Sequence, residues 1–592
     1  MGSGGHRQAR SGLSLLRWGA GLPAFAGYVV CAVALTLPAW AHPATDWPGG
    51  PGDPMLLMNF LAWTPFALGH VLNPLQDSFV NLPGGVNMAW NTSMPLASVV
   101  LWPVTALFGV IAAYNVGLVG ALALDGWCSY LWLRRRVSHR WAAWIGGLMM
   151  VLGPFAASRA SHHLAQLLCF PVPLLLIALE NAIREPRRAL RWGAVIGVLC
   201  AVQFFLTEEN LALFAVAVGT ALIIAAIAYP RDALSRALPL LRAFGVSVGV
   251  FLVLTALPLW YQLFGPGRIV GAIQSPNTYV TDLLNVVVPT SATALAPPFT
   301  TGIVNHWSGF PIEDNAYVGL PLIVVGVYTA VRWWGDRWLR VVALGACAAL
   351  IWSLGSYLHV NGVTHHLLPL PGRLLSFLPV VDNLLPARFA LFLDIGLAAL
   401  LAMFVDRVVL ASSWRPRIVG AVALALVVAT LAPRMPIPAS PSGTPAYFLT
   451  GGDVSSLAPG TTALVVPYGD SSASMAPMLW QAQSDFRFRM VSGTIWTAGP
   501  GGAPSFGRPL TMTLDCVMNA LQTAGATSAC GSGLVAAVRS NLDQLGVTVI
   551  ILGPVAYGTE PGLQAPIEDF LSQVAGSAPR TDQGVEVWAY YG

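Results

Sequence analysis

Two aspartates, Asp46 and Asp53, sit in a polar, Gly/Pro-rich stretch that runs straight into an apolar segment, TDWPGGPGDPMLLMNFLAWTPFALGHVLN (45–73). Only 26 of the 592 residues are Asp or Glu, and two acids beside an apolar run at a membrane surface are costly to keep without a use. The other groups able to carry charge or move protons recur between long apolar runs. They are Arg159, His162 and His163 in SRASHH (158–163), then Glu208 and Glu209, and later Asp282, His306, Glu313 and Asp314. His365, His366, Arg373, Asp382 and Arg388 close the series. A carboxylate takes the proton of an attacking hydroxyl as a bond forms, and a guanidinium fork holds two oxygens of a departing phosphate. Phosphate is already a good leaving group, so it needs a fixed cation more than a general acid. One acid and one or two Arg at a lipid-facing cleft suit transfer of a group from a lipid phosphate.

These residues need elements to position them, and composition says which. Hydrophobic residues make up 55% of the chain and charged residues 9%, far below the roughly 25% charged residues of globular domains. The chain therefore reads as a polytopic membrane protein, multi-pass in a bacterial inner membrane. Every basic residue is Arg, and the net charge of +4 comes from short clusters between apolar runs, as the positive-inside bias expects. No basic patch remains for nucleic acid.

With Arg clusters placed in the cytoplasm and spans of about 20 residues, one threading emerges. Residues 1–17 are a cytoplasmic N-terminus, and the first span, 18–41, reads as a retained anchor rather than a cleaved signal. The external loop 42–111 carries helices at 55–71 and 96–110 that lie along or dip into the membrane. Spans follow at 112–133, 141–157, 165–182, 193–207, 210–228, 243–264, 314–331, 341–357, 388–405 and 418–433. The fold class is thus mainly α, a membrane bundle of about 11 spans over 18–433. Region 96–133 is read as one span preceded by a surface helix, because two spans would put RRRVSHR (134–140) outside. After a Pro/Ser/Gly linker at 434–446, residues 447–592 form a small extracytoplasmic α/β domain. Its strands are TALVVPYG, VTVIILGP and GVEVWAYYG, and its helices SMAPMLWQAQS, GLVAAVRSNLDQLG and PIEDFLSQVAG.

On this threading the acids and bases gather at the outer face, which implies a site opening outside at headgroup level. There is no P-loop, GxSxG, HExxH or dinucleotide fingerprint, and no Cys spacing for a metal. No cofactor is expected. Cys516 and Cys530 lie in the external tail, where they either pair or stay apart.

The acid-Pro sequence GDPMLLMNF in a large first external loop, the in-plane helices, the many spans and an external α/β tail resemble the GT-C class of membrane glycosyltransferases over about residues 18–433. The resemblance implies a sugar donor carried on polyprenyl phosphate and a glycan or lipid acceptor, with membrane lipids as further partners. It makes Asp53 the match for the catalytic base. SRASHH matches the second-loop position, and LLPARF (384–389) the place where the class binds the donor phosphate, through Arg388 with Arg159 or Arg373. His162 and His163 stand where metal-dependent relatives carry acids, which points to metal-independent, inverting chemistry. No WWD-type motif appears in the tail, which argues against a peptide acceptor.

Each residue also has a plainer reading. Asp53 before Pro54 is a good helix cap, and Asp46 is the alternative base. Glu208 and Glu209 are either solvated charge at a hairpin tip or part of the site, and His162 and His163 either interfacial hydrogen-bonding groups or site members. Arg388 is a phosphate ligand or an interfacial snorkelling residue. Asp125 and Asp394, inside spans, are expected to pair with Arg. A rival reading is a transporter or lipid flippase, or a non-enzymatic envelope assembly protein. Against transport stand the lack of visible repeats and a polar cluster at one face rather than the midplane.

Overall fold

The computed structural model describes residues 18–275, 277–377, 381–410, 414–469, 475–525, 527–554 and 562–591. The cytoplasmic segment expected at 1–17 lies outside them. Helix α1 (Trp18–Leu35) leads to strand β1 (Asp46–Pro48) and helix α2 (Asp53–Gly69). After β2 (Gln76–Asp77) and β3 (Val86–Asn87) come α3 (Pro95–Phe108) and α4 (Val110–Leu133), separated at Gly109. Next are α5 (Arg140–Leu152), α6 (Pro154–Ala160), α7 (Leu164–Leu167), α8 (Pro171–Arg184), α9 (Ala189–Leu206), α10 (Glu208–Ala228) and α11 (Pro230–Phe264). The second half of the bundle contains α12 (Pro298–Val304), α13 (Gly319–Arg332), α14 (Arg337–Ser353), α15 (Ala390–Phe404) and α16 (Trp414–Leu431), with the hairpin β4 (Tyr357–Val360) and β5 (Val363–Pro369) between α14 and α15.

Among the described residues seven stretches are long and apolar enough to cross a membrane, and the bent pair α5 and α6 makes an eighth. The protein is a multi-pass membrane protein. The expected spans at 18–41, 314–331 and 341–357 correspond to α1, α13 and α14, of 18, 14 and 17 residues. Each stops short of its expected bounds for a local reason. A Pro-started 3-10 turn, Leu37–Trp40, follows α1; α13 opens only at Gly319, whose φ of 70° suits glycine; and the chain turns into β4 after α14. Close helix packing comes from small residues. A Cβ added to Gly193 or Gly197 of α9 would come within 2.4 Å or 2.6 Å of the α11 backbone at Ala243 and Ser247, the small-xxx-small contact of membrane helices.

One expectation fails for a clear reason. The segment at 55–71 is not a helix lying along the membrane: α2 is buried inside the protein, with Met55 to Pro65 enclosed throughout. It is apolar all round, and a helix with no polar face is a core helix rather than an interfacial one. It packs on α3, α4 and the C-terminal helix α17 (Ala476–Gln483). Its one amide, Asn59, donates to the Met478 carbonyl at 3.0 Å and to Gln481 Oε1 at 3.3 Å.

The segment at 434–446 is also more than a linker. Its strand β6 (Ala439–Pro441) pairs antiparallel with β1, and backbone bonds run from Ile437 to Leu35 and from Gly49 to Pro438, both 2.8 Å. Beyond it lie β7 (Thr461–Val466), β8 (Phe488–Met490), β9 (Trp496–Ala498), β10 (Pro504–Phe506), α18 (Thr513–Ala524), α19 (Leu534–Leu545), β11 (Val549–Leu552), α20 (Gln564–Ala575), β12 (Arg580–Asp582) and β13 (Val585–Ala589). The expected strands and helices of the tail are present. A five-stranded sheet runs in the order β12-β13-β11-β7-β8, with β7 parallel to both of its neighbours. Alternate residues of β7 face opposite sides of a sheet: Leu464 and Val466 join a core with α18 and α19, while Ala463 and Val465 join the core that includes α2 and the bundle. A disulfide joins Cys516 of α18 to Cys530.

Asp125 and Asp394 are buried, but neither meets an Arg. Asp125 lies beside Cys169 and Asp394 beside the Phe155 backbone. Arg159 and Arg388 are instead taken by the acids described next.

Candidate active site

Asp53 is the first residue of α2. Gly52, at φ 108°, makes the turn before it, and Pro54 follows within the first turn. The N-cap of α2 is Gly52, so Asp53 stands one residue inside the helix and not at the capping position expected for it. Its side chain is 37% exposed, and His163 Nε2 lies 3.9 Å from its Oδ2. His163 sits in the short link between α6 and α7, a break inside otherwise apolar helix.

Below Asp53 runs a ladder of four charges. Arg159 of α6 is fully buried and donates from Nη1 to Glu313 Oε1 at 2.8 Å and from Nη2 to Glu313 Oε2. Glu313 lies in the 3-10 turn Pro311–Glu313. Arg388, in the turn Pro386–Phe389 that feeds α15, grips Glu313 from the other side, with Nη2 to Oε1 at 2.9 Å and Nε to Oε2 at 3.4 Å. Its Nη1 reaches Glu209 Oε2. Gln166 Nε2 and the Leu385 amide also donate to Glu209, at 3.0 Å and 3.4 Å. Two guanidinium groups thus balance two carboxylates out of water, which is stable only because nearly every donor is matched.

The electrostatics follow from this arrangement. Burial and the nearby Glu313 push the Asp53 carboxyl above the usual range, partly offset by Arg388 and Arg159. Burial tends to raise Glu313, but Arg159 and Arg388 prevail and hold it below the usual carboxylate range. Burial, with Arg388 and Arg159, lowers His163 well below an ordinary histidine, so its ring is neutral. Burial beside Glu313 and Asp282 pushes Asp314 up to about 8.

A cavity of about 730 Å³ opens above the ladder, lined in part by Asp53, His163, Glu208, Glu209, Glu313 and Arg388. Glu208 is held by Gln262 Nε2, 3.3 Å from each of its oxygens. The sequence-derived candidates therefore divide. Asp53, His163, Glu208, Glu209 and Arg388 converge on one space. Arg159 stands behind the wall and positions Glu313 instead of facing a ligand. Asp46 lies in the β1–β6 ladder, its carboxylate 2.8 Å from Thr45 Oγ1 and 3.6 Å from His42. Arg373 is exposed on the turn Pro371–Phe377. His162 is bonded to Ser161 Oγ at 2.6 Å. None of these last three lines the cavity.

The central place of Glu313, and the parts of Gln166 and Gln262, were not singled out from the sequence. A signal existed: Gln166 and Gln262 interrupt apolar runs, LAQLL and WYQLF, where a polar side chain needs a reason. Among the described residues no three His, Cys, Asp or Glu side chains are grouped to hold a metal ion.

Comparison with known proteins bears on the fold. The arabinofuranosyltransferase AftD from mycobacteria superposes with a TM-score of 0.53 at 14% identity, covering 98% of this chain and 42% of AftD. The oligosaccharyltransferase AglB from Archaeoglobus fulgidus, solved with an inhibitory peptide and a dolichol-phosphate, gives 0.41 at 14% identity over 92% of this chain and 70% of AglB. ArnT from Cupriavidus metallidurans gives 0.37 at 13% identity over 97% and 98%. The fold is that of the GT-C glycosyltransferases, and this chain spans less than half the length of AftD. No curated protein sequence matches the chain. A family described as "Domain of unknown function (DUF6311)" matches residues 24–432.

Proposed function

The chain belongs to the DUF6311 family, and from that premise we propose that it is a membrane glycosyltransferase. It transfers a sugar from a polyprenyl-phosphate-linked donor to an envelope glycan or glycolipid on the extracytoplasmic face of a bacterial inner membrane. The observation that carries the reading is the sharing of one cavity by the partly exposed carboxylate of Asp53 and the guanidinium of Arg388, at the ends of apolar helices. The Cys516–Cys530 disulfide supports an oxidising, extracytoplasmic location for the tail.

In the proposed reaction an acceptor hydroxyl attacks the anomeric carbon. The bond from that carbon to the phosphate oxygen breaks, and its electron pair leaves with the polyprenyl phosphate. Asp53 takes the hydroxyl proton, and its raised pKa makes it a stronger base than an ordinary carboxylate. A single displacement of this kind inverts the anomeric centre. Arg388 serves the phosphate by exchanging Glu209 for it while Glu313 keeps the guanidinium in plane. Neutral His163 borders Asp53 without competing for its charge. The chemistry runs without a metal, because the cation the phosphate needs is Arg388.

The test is transfer of labelled sugar from a panel of polyprenyl-phosphate donors by the purified protein, wild type against Asp53→Asn. Loss of turnover by about 10²–10⁴-fold, the usual weight of a general base, with donor binding intact, is the expected result. Consumption of no donor by the wild type defeats the enzyme reading; full activity in the variant removes Asp53 from the base role.

A further inference from the structure

The cavity has two unlike walls. On one side Phe204 of α9, Leu211, Ala212 and Ala215 of α10 and Leu259 of α11 present apolar side chains from membrane helices. The opposite wall comes from outside the bundle: Trp90 from the turn Met88–Trp90, Trp496 from β9 and Phe506 from β10. Trp496 and Phe506 meet at 4.9 Å between ring centroids with their planes at 53°. All three aromatics are only partly buried and line the cavity.

This wall is built to stay in place. The Asn91 side chain clamps the β9 backbone, donating from Nδ2 to the Trp496 carbonyl at 2.9 Å and accepting from the Trp496 amide at 3.0 Å. The turn joining β9 to β10 is tied to the external loop before α12 by the Val270 amide, which donates to the Gly502 carbonyl at 2.8 Å. Trp90 Nε1 donates to the Gln262 carbonyl at 2.8 Å. Aromatic surface fixed before a ligand arrives loses little entropy on binding.

We propose that Trp90, Trp496 and Phe506 form a subsite for the acceptor, and that the acceptor end it takes is a neutral, polyhydroxylated sugar ring. This rests on the glycosyltransferase reading and adds to it where the acceptor lies and what it is. A sugar ring has a face of polarised C–H bonds that stacks on an electron-rich aromatic ring, and a rim of hydroxyls for neutral partners such as Thr92, Gln274 and Asn383, which line the same cavity. An anionic acceptor would find no cation of its own here: Arg388, the one guanidinium among the described lining residues, is held by Glu209 and Glu313 and is assigned to the donor phosphate. The lipid chain of the donor is assigned the α9–α11 wall, which continues into membrane helices, whereas the β9–β10 hairpin does not.

The experiment uses the full chain in detergent, titrated with unbranched neutral oligosaccharides of pentoses and of hexoses, and separately with a short-chain polyprenyl phosphate. Binding is read by calorimetry in wild type, Trp496→Ala, Phe506→Ala and Trp496→Phe, each checked for its melting temperature. The expected result is that one neutral oligosaccharide binds, that Trp496→Ala and Phe506→Ala weaken it at least tenfold, and that Trp496→Phe restores most of the affinity while polyprenyl phosphate binding falls less. The proposal is overturned if no neutral glycan binds, if the alanine variants bind it as wild type does, or if they lose polyprenyl phosphate instead. Glycan binding that depends on Trp496 in a protein that consumes no donor keeps this subsite and defeats the glycosyltransferase reading, so the two failures are separable.

Discussion

Asp53 and its neighbours carry most of the testable chemistry at the scale of single residues. Because burial and Glu313 raise the Asp53 pKa and the base must be ionised to accept a proton, kcat/KM should rise with pH through an acid limb lying above the ordinary aspartate value of about 3.9. That limb should disappear in the residual activity of Asp53→Asn. Asp314 provides a stability test of definite sign. Its folded pKa is raised to about 8 over an unfolded value of about 3.9, so the folded state holds the extra proton between these limits and stability falls as pH rises across that window. Asp314→Asn should therefore flatten the decline of melting temperature between pH 5 and 9; a variant with the wild-type slope would remove Asp314 as its cause. The Arg159–Glu313 pair behaves differently. Removing one partner alone, as in Arg159→Met, leaves a buried carboxylate with half its donors and should cost about 3–5 kcal/mol, whereas the double change Arg159→Met with Glu313→Gln should cost less than the two single changes added together, in a denaturation cycle.

Among the elements, α2 decides the most. It places Asp53 at its first residue, and its buried length joins the bundle to the C-terminal sheet through α17. Leu61 is fully buried within it, and Leu61→Ala should destabilise by about 2–5 kcal/mol through lost burial and the cavity left behind. Because the helix is rigidly cored, this change should also lower turnover more than it lowers donor binding. Equal losses would place the effect in global unfolding. The pairing of β1 with β6 and the seating of Gly49, where an added Cβ would lie 1.7 Å from the Ser161 carbonyl oxygen, hold the loop ahead of Asp53 against the link that carries His162 and His163. The loop ahead of Asp53 and the α6–α7 link are thus fixed to each other before any ligand binds.

For the whole molecule, the C-terminal region is part of the fold rather than an appendage. Val465, Trp480 and Phe488 share one core with Leu57, Phe60 and the membrane helices, and β9 and β10 complete the cavity wall. A chain ended after residue 446 should therefore expose the apolar side of α2, aggregate on purification and lose donor binding as well as turnover. A monodisperse, donor-binding truncation would show that the bundle stands alone. The disulfide acts on a smaller scale: with 14 residues of separation between Cys516 and Cys530, loop-closure entropy puts its contribution at about 3 kcal/mol, local to α18.

Composition and periodicity alone established the membrane class, the order of the helices and the strands of the tail, because apolar runs and Arg clusters report directly on transfer from water to lipid. They also drew attention to Asp53, since ionisable groups are rare and costly at a membrane, while Arg388 was singled out by the resemblance to the GT-C class. Three things were decided only in three dimensions. Whether an apolar run lies on the membrane or inside the protein depends on what covers it, and α2 is covered by α17, which follows it by hundreds of residues in the chain. Which acids neutralise which guanidinium groups depends on loops brought together from α6, α10, the turn at Glu313 and the start of α15; local spacing therefore did not show that Arg159 serves Glu313 or that Glu209 shares Arg388. The aromatic wall joins Trp90 to Trp496 and Phe506 across the same kind of distance, because a binding surface is made by packing distant segments against one another and leaves no period in the sequence.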